Sequence, residues 1–395
     1  MLLSLSLMLL LGLLLSEIFV RLGLPGLVAM ILAGILIGPY ALDWLDADLL
    51  AIAPDLREIA LIVILLRVGL QLDFRDLKQV GRPALLLSFL PAALEAAAAA
   101  VLAHYLLDLP WLSAALLGSV LGAVSPAVVV PRMLSMMEKG IGKDKRIPHM
   151  IVAGASFDDI FVIVLFSAFL GMQTTGAFDV LQITLIPVSI LIGAGFGLML
   201  GLGLVILFRK VHLRDTAKVL ILLGASFFLV WADHATDSWL PYSGLIAVVA
   251  MGGAILKTYG VLAERLVAKF AKVWVFAELL LFVLVGAAVD VTVIPSIGLG
   301  AFAVICGALI VRMLGVFAAV SKTALNLRER FFVALSYLPK ATVQAAIGSV
   351  PLALGIAGGE TILAVAVLAI LFTAPLGAFL IDHTWKPLIG LPKQA

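Results

Sequence analysis

Charge is what this sequence holds least of. Asp, Glu, Lys and Arg make up 13% of its 395 residues against 64% for the hydrophobic set, too few to cover the surface of a water-soluble globule of this size. Cysteine is almost missing. Cys306, the single copy, lies inside an apolar run, which excludes an intrachain disulfide, a four-cysteine metal site and a Cys-x-x-Cys redox pair, and leaves packing as its role. No linker, low-complexity tract or polar domain interrupts the chain. The stretch "GIGKDKR" at 140–146 has a superficial likeness to a phosphate loop, but it lacks the required spacing and the preceding strand, so it reads as a solvated loop. A net charge of +2 carries little information as a total, and no nucleic-acid partner is expected.

What is present is apolar sequence in lengths of roughly 18 to 25 residues, close to the ~20 that an α-helix needs to cross ~30 Å of hydrocarbon. About thirteen such runs fall near 2–20, 24–41, 55–72, 83–107, 111–134, 147–171, 180–208, 216–232, 242–256, 270–288, 294–320, 331–356 and 360–382. The chain therefore reads as an all-α polytopic membrane protein. The opening MLLSLSLMLLLGLLL has no positive residue before it and no small-residue cleavage pattern after it, so it is expected to be the first span rather than a signal peptide.

Lys and Arg collect after the odd-numbered spans. Arg75, Lys78 and Arg82 follow the third; Arg132, Lys139, Lys143, Lys145 and Arg146 the fifth; Arg209, Lys210, Arg214 and Lys218 the seventh. Lys257, Arg265, Lys269 and Lys272 and then Lys322, Arg328 and Arg330 continue the series, while Asp43, Asp46, Asp48, Asp108, Asp179, Asp233, Asp237, Asp290 and Glu360 follow even spans. By the positive-inside rule the N-terminus is expected outside and the C-terminus in the cytoplasm, in a bacterial inner membrane. Thirteen divides as six, one and six. A six-span unit followed by one span forces the second unit to begin on the opposite side, giving two inverted six-helix repeats, the arrangement common in secondary transporters with midplane sites at broken helices.

Of the 26 basic residues, only Arg57, Arg67, Arg312 and Lys340 fall outside the basic loops and tail. A charge at mid-helix costs about 2.5 kcal/mol or more, so each is expected to face the protein interior or a wet cavity and to need a partner. Arg57 reads as interfacial and Arg67 as snorkelling to the headgroups. Glu58 and Glu278 lie near span ends and read as structural; Glu17, His104 and His149 read as interface or packing.

The run "GASFDDIFVIVLF" sets two adjacent carboxylates, Asp158 and Asp159, near the centre of the sixth span. Helix neighbours point about 100° apart, so they cannot share a proton as a facing dyad does. One can face a water-filled cavity while the other pairs with a cation inside the protein. Bracing a helix is the plainer reading, but bracing rarely needs two charges at this depth. Carboxylate oxygens are hard ligands for Na⁺, Li⁺ or H₃O⁺, and taking a carboxyl group out of water favours its neutral form, so protons and metal ions compete for it. Asp158 and Asp159 are thus the candidate cation and proton site.

Glu95 lies mid-way along the fourth span among alanines and Arg312 in the eleventh. Each is the fourth helix of its unit, so inverted symmetry makes them counterparts, and a buried Glu95–Arg312 ion pair shared with Asp158 is expected; a lone snorkelling Arg312 is the alternative. The fifth helices match too. "GAVSPAVVVP" and "LPKATVQAAIGSVP" place Pro126, Pro131, Pro339 and Pro351 within the fifth and twelfth spans, where each removes a ladder hydrogen bond. Broken backbone at this depth survives only if buried or lining a cavity; a simple proline kink is the plainer reading of either helix alone. Ser125, Thr342 and Gln344 offer neutral oxygens, and Lys340 would stabilise a half-helix C-terminus.

Together "VLAHYLLDLPWLSAALLGSVLGAVSPAVVVPRML", "GASFDDI" and "YLPKATVQAAIGSVPLA" resemble the NHA branch of the monovalent cation/proton antiporters, a group distantly similar to bacterial NhaA and to the NHE exchangers. The resemblance spans nearly the whole chain. It implies an NhaA-like fold forming a homodimer in the lipid membrane, with a core near 83–171 and 294–384 and dimerisation or scaffold helices near 1–72 and 180–288 within one integral membrane domain. It implies crossed broken helices marked by Ser125, Pro126, Lys340, Thr342 and Gln344, with Asp159 the main cation and proton carboxylate, Asp158 its support and Arg312 the cation beside them. Many bacterial two-aspartate relatives carry lysine where this chain has Arg312, and they are electrogenic. If Asp158 stays ion-paired beside a permanently charged arginine, only Asp159 titrates and exchange is one proton per cation.

The expected activity is exchange of Na⁺ or Li⁺ for H⁺, with K⁺/H⁺ exchange or another proton-coupled cation transport as the alternative. No enzyme activity, catalytic residue or resident cofactor is expected. An intramembrane aspartyl protease needs carboxylates opposed on different helices, whereas these are adjacent on one, and no Gly-x-Gly-Asp stretch occurs.

Overall fold

The computed structural model describes residues 1–71, 80–175, 180–236 and 242–390, with backbone alone at 174–175, 180–187, 234 and 236. Arg75, Lys78, Asp179 and Asp237 fall outside the described residues. Every regular element among them is helical: α1 Leu2–Arg21, α2 Gly26–Ile37, α3 Ala47–Ala51, α4 Ala53–Gln71, α5 Arg82–Leu87, α6 Leu90–Leu106, α7 Trp111–Leu121, α8 Pro126–Glu138 and α9 Ile147–Thr175. The chain continues through α10 Val180–Lys210, α11 Asp215–Thr236, α12 Gly244–Thr258, α13 Gly260–Ala287, α14 Ile294–Ala319, α15 Leu327–Ser336, α16 Thr342–Gly348, α17 Val350–Ala353 and α18 Gly359–Ile389.

Nine stretches among the described residues are long and apolar enough to cross a membrane, and Gly26–Ile37, Gly244–Thr258 and Thr342–Ala353 are shorter apolar helices. With α4, which carries Asp55, Arg57, Glu58 and Arg67, these make thirteen helical stretches among the described residues, matching in number the apolar runs of this integral membrane protein. Large apolar side chains such as Leu2, Leu3 and Leu10 of α1 and Leu220, Phe228 and Trp231 of α11 are exposed, an outward face suited to lipid and costly in water.

The fifth and twelfth crossings are broken. α7 stops at Leu121, the chain runs non-helically through Ala123–Ser125, and α8 restarts with Pro126 at its first turn, where the fixed φ of proline suits a helix start and its missing N–H costs nothing. α8 then continues through Pro131 without a second break. In the twelfth crossing α15 ends at Ser336 and α16 begins at Thr342, with Pro339 in the gap and Pro351 in the first turn of α17.

The chain forms two compact units, one of Met1–Pro54, Phe74–Phe166 and Phe282–Ala395, the other of Asp55–Asp73 and Ser167–Leu281. In the first, α6 packs along α7 and α14, and α18 packs along α15, α16 and α17. α15 opens on a capping box in which Asn326 Oδ1 accepts from Glu329 N at 2.9 Å and Glu329 Oε2 from Asn326 N at 2.7 Å. Lys145 of the "GIGKDKR" run reaches the same carboxylate at 2.7 Å, so one member of that run is tied into the fold. In the second unit, α10 lies against α12, where a Cβ on Gly197 would overlap the Ala247 backbone. Arg67 there interacts electrostatically with Glu278, which also accepts a hydrogen bond from Trp274; Glu278 lies well inside α13 rather than near its end.

Candidate functional site

A break in a membrane helix leaves backbone donors and acceptors that water cannot reach, and each needs a partner. At the first break, the Gly122 carbonyl accepts from Arg312 Nη1, Val124 N donates to Asp158 Oδ2 at 2.7 Å and Ser125 N donates to the Pro339 carbonyl at 2.7 Å. At the second, the Tyr337 carbonyl accepts from Arg312 Nε at 2.7 Å, Lys340 N donates to Thr373 Oγ1 at 2.9 Å and Ala341 N to Gln344 Oε1 at 2.8 Å. Gln344 Nε2 then spans back to the Val120 and Ala123 carbonyls at 3.2 and 2.8 Å. The two breaks therefore meet and satisfy each other.

Five ionisable side chains converge there. Glu95 comes from α6, Asp158 and Asp159 from α9, Arg312 from α14 and Lys340 from the second break, and none is more than 3% exposed. Glu95 Oε2 accepts from both Arg312 Nη1 and Lys340 Nζ at 2.5 Å. Arg312 Nη2 lies 2.9 Å from Asp158 Oδ2, and its guanidinium sits 5.4 Å from the centre of the Tyr337 ring. Three donor-bearing nitrogens of one arginine thus reach α6, α9 and both breaks, a use of the rigid guanidinium fork that lysine cannot reproduce.

Four buried oxygens at this site have no hydrogen-bond partner: Asp158 Oδ1, Asp159 Oδ1, Ser125 Oγ and Tyr337 Oη. Buried polar atoms are rarely left so, and two carboxylate oxygens with a hydroxyl are the hard donors a monovalent cation takes. Among the described residues there is no cluster of three or more His, Cys, Asp or Glu residues that could hold a metal ion.

Residues 5–386 match the family described as sodium/hydrogen exchanger, transmembrane. The chain belongs to that family. It is 37% identical over 376 residues to sodium/hydrogen exchanger 9B2 of Homo sapiens, covering 91% of this chain and 68% of that protein. It is 36% identical over 373 residues to sodium/hydrogen exchanger 9B1 of Mus musculus, covering 91% of this chain and 65% of that one. Its fold is that of the sodium proton antiporter MjNhaP1 from Methanocaldococcus jannaschii, with a TM-score of 0.80 and 22% identity over 98% of this chain and 97% of that one.

In this exchanger-family chain the residues singled out from sequence lie together, with some in positions other than expected. Lys340 does not serve a helix C-terminus: its ammonium rests on Glu95. Gln344 uses its oxygen on Ala341 N, so it fastens the crossing, whereas Ser125 Oγ is buried and unpartnered. Thr342 is buried at the start of α16. Sequence reading passed over Tyr337 and Thr373. Tyr337 carried a signal, since it stands two residues before Pro339 in the quoted run; Thr373 carried none, being one of three threonines in a largely apolar helix.

Proposed function

We propose that this protein exchanges Na⁺ or Li⁺ for H⁺ across a membrane by alternating access, one cation per proton, with Asp159 the carboxylate that either ion occupies. The observation that carries the reading is the inventory of buried charge. Arg312 and Lys340 are two cations; Glu95 and Asp158 are the two carboxylates bound to them. Asp159 is the fifth member, with one oxygen buried and unpartnered. When Asp159 carries a proton or a monovalent cation the cluster is neutral. When it carries neither, one buried negative charge is uncompensated, at a cost of several kcal/mol. The empty carrier is then the species least able to pass through an occluded state, which makes the protein an exchanger and not a leak.

Ser125 Oγ and Asp158 Oδ1 complete the ion's ligands in this reading, and Glu95 and Arg312 hold Asp158 and the two breaks in place. The core near 83–171 and 294–384 contains every residue of the site, and the helices near 1–72 and 180–288 form the scaffold through which two copies pair in the lipid. The basic loops after odd spans favour an outside N-terminus and a cytoplasmic C-terminus in the cell membrane of a bacterium.

The test is an imposed ΔpH across proteoliposomes, dissipated on adding Na⁺, Li⁺ or K⁺ in turn. Dissipation by Na⁺ or Li⁺ that vanishes in Asp159→Asn supports the reading. A response to K⁺ alone reassigns the protein as a K⁺/H⁺ antiporter, and undiminished exchange by Asp159→Asn overturns the role of that residue.

A further inference from the structure

Resting on that reading of the site, we infer that Thr373 of α18 is a positioning residue for Lys340, and that α18 thereby sets the reach of the lysine to Glu95. The second break has two backbone donors to satisfy, because Pro339 has no N–H and the amides of Tyr337 and Leu338 return to Ala334 and Leu335. Ala341 N is satisfied locally by Gln344. Lys340 N is satisfied by Thr373 Oγ1, 33 residues on, with the hydroxyl fully buried. Lys340 is therefore pinned at both ends, its amide to α18 and its ammonium to α6.

A second contact on α18 supports the same placement. Gly377 lies one turn beyond Thr373, on the same face, and a Cβ there would meet Pro339 Cδ at 2.8 Å and Cβ at 3.2 Å. Gly377 makes room for the proline and Thr373 takes the next amide, so the Leu-Pro-Lys segment is seated on α18 before its side chains enter the site. Without the hydroxyl acceptor the buried Lys340 N–H is orphaned, the segment shifts to find another partner, and the ammonium no longer reaches Glu95 from the same origin. Thr373 touches no ion; it acts through Lys340.

The experiment uses the full chain, with Thr373→Val, Thr373→Ser and Lys340→Met singly and Thr373→Val with Lys340→Met combined. Each is assayed for Na⁺-driven ΔpH dissipation and for thermal unfolding in detergent. Thr373→Val is expected to raise the half-maximal Na⁺ concentration about tenfold, as the loss of one buried hydrogen bond allows. Thr373→Ser, which keeps the acceptor, should stay within about twofold. In thermal unfolding the loss from Thr373→Val should shrink but not vanish in the Lys340→Met background, because the orphaned amide remains while the Lys340–Glu95 contact is no longer there to lose; a merely structural threonine would give the same loss in both backgrounds. Additive losses in unfolding, or a Thr373→Ser variant as impaired as Thr373→Val, overturn the inference. Because unfolding needs no transport, a chain that moves no cation refutes the exchange reading while the unfolding cycle still decides the role of Thr373.

Discussion

Asp158 and Asp159 share a peptide bond and not an environment. Asp158 Oδ2 is held by Arg312 Nη2 at 2.9 Å and by Val124 N at 2.7 Å, whereas Asp159 Oδ1 is buried with no partner. Helix neighbours project about 100° apart, so the two side chains need not meet the same donors. On the proposed function, two carboxylates in one apolar run would divide into a structural anion and an exchangeable one.

Their asparagine variants should therefore fail in different ways. Asp159→Asn should lose exchange by at least about 100-fold and unfold no earlier than the parent, since it deletes an uncompensated buried charge. Asp158→Asn should unfold earlier, by an amount on the order of 3 to 5 kcal/mol for one broken buried pair. Thermal unfolding beside proteoliposome exchange checks both; an Asp159→Asn protein that unfolds earlier than Asp158→Asn contradicts the division of roles.

Charge counting gives a second prediction. Glu95→Gln leaves Arg312 and Lys340 facing Asp158 alone, one cation in excess. Arg312→Gln leaves Glu95 and Asp158 facing Lys340, one anion in excess. The double variant restores the balance, so it should be less damaging than either single change, by roughly 2 kcal/mol or more in unfolding. Equal or additive losses would show that Glu95 and Arg312 act separately.

The same inventory gives a third prediction, on the proposed stoichiometry. If Arg312 keeps its charge and Asp158 stays bound to it throughout the proposed cycle, one site changes occupant and no net charge crosses. Exchange at fixed Na⁺ and H⁺ gradients should be unchanged, within about 20%, when a potential of either sign is imposed with K⁺ and valinomycin. A rate that follows the potential would mean that a second group, Lys340 or Asp158, releases its charge during turnover.

Much of this was legible before the fold was known. Thirteen crossings follow from the ~20 residues that hydrocarbon thickness demands, and the first break follows from Pro126. Arg312 and Glu95 stood out because charge is rare in this chain, and the cost of an unpaired charge in lipid made each a search for the other. What sequence could not yield was the partner of each freed backbone group. Nothing in the quoted runs assigns the Gly122 carbonyl to Arg312 or Lys340 N to Thr373, because those pairings depend on which way a broken chain turns in space. Pro131 misled in the opposite direction: it removes one ladder bond, and α8 runs on through it. Lys340 misled as well, since a long flexible side chain beside a half-helix has several reachable partners and the carboxylate of Glu95 outcompetes carbonyl ends.

Gly154 supplies the last prediction, because it lies one turn before Asp158 on the same face of α9. A Cβ at this position would overlap the Tyr337 hydroxyl and meet Leu87 Cβ at 2.8 Å, while the Tyr337 ring carbon Cζ stands at 3.4 Å. The missing side chain lets α9 approach the second break closely enough for Asp158 to reach Arg312. Gly154→Ala should therefore cost about 1 to 3 kcal/mol through overpacking and weaken exchange by moving Asp158 off its partners. Tyr337→Phe alone should be neutral or slightly stabilising, since the hydroxyl it removes is buried and unbonded. Combining the two should recover part of the loss, and only part, because the Leu87 contact remains. If Tyr337→Phe instead deepens the defect of Gly154→Ala, the hydroxyl is not the obstacle, and the approach of α9 to the break is set by another contact.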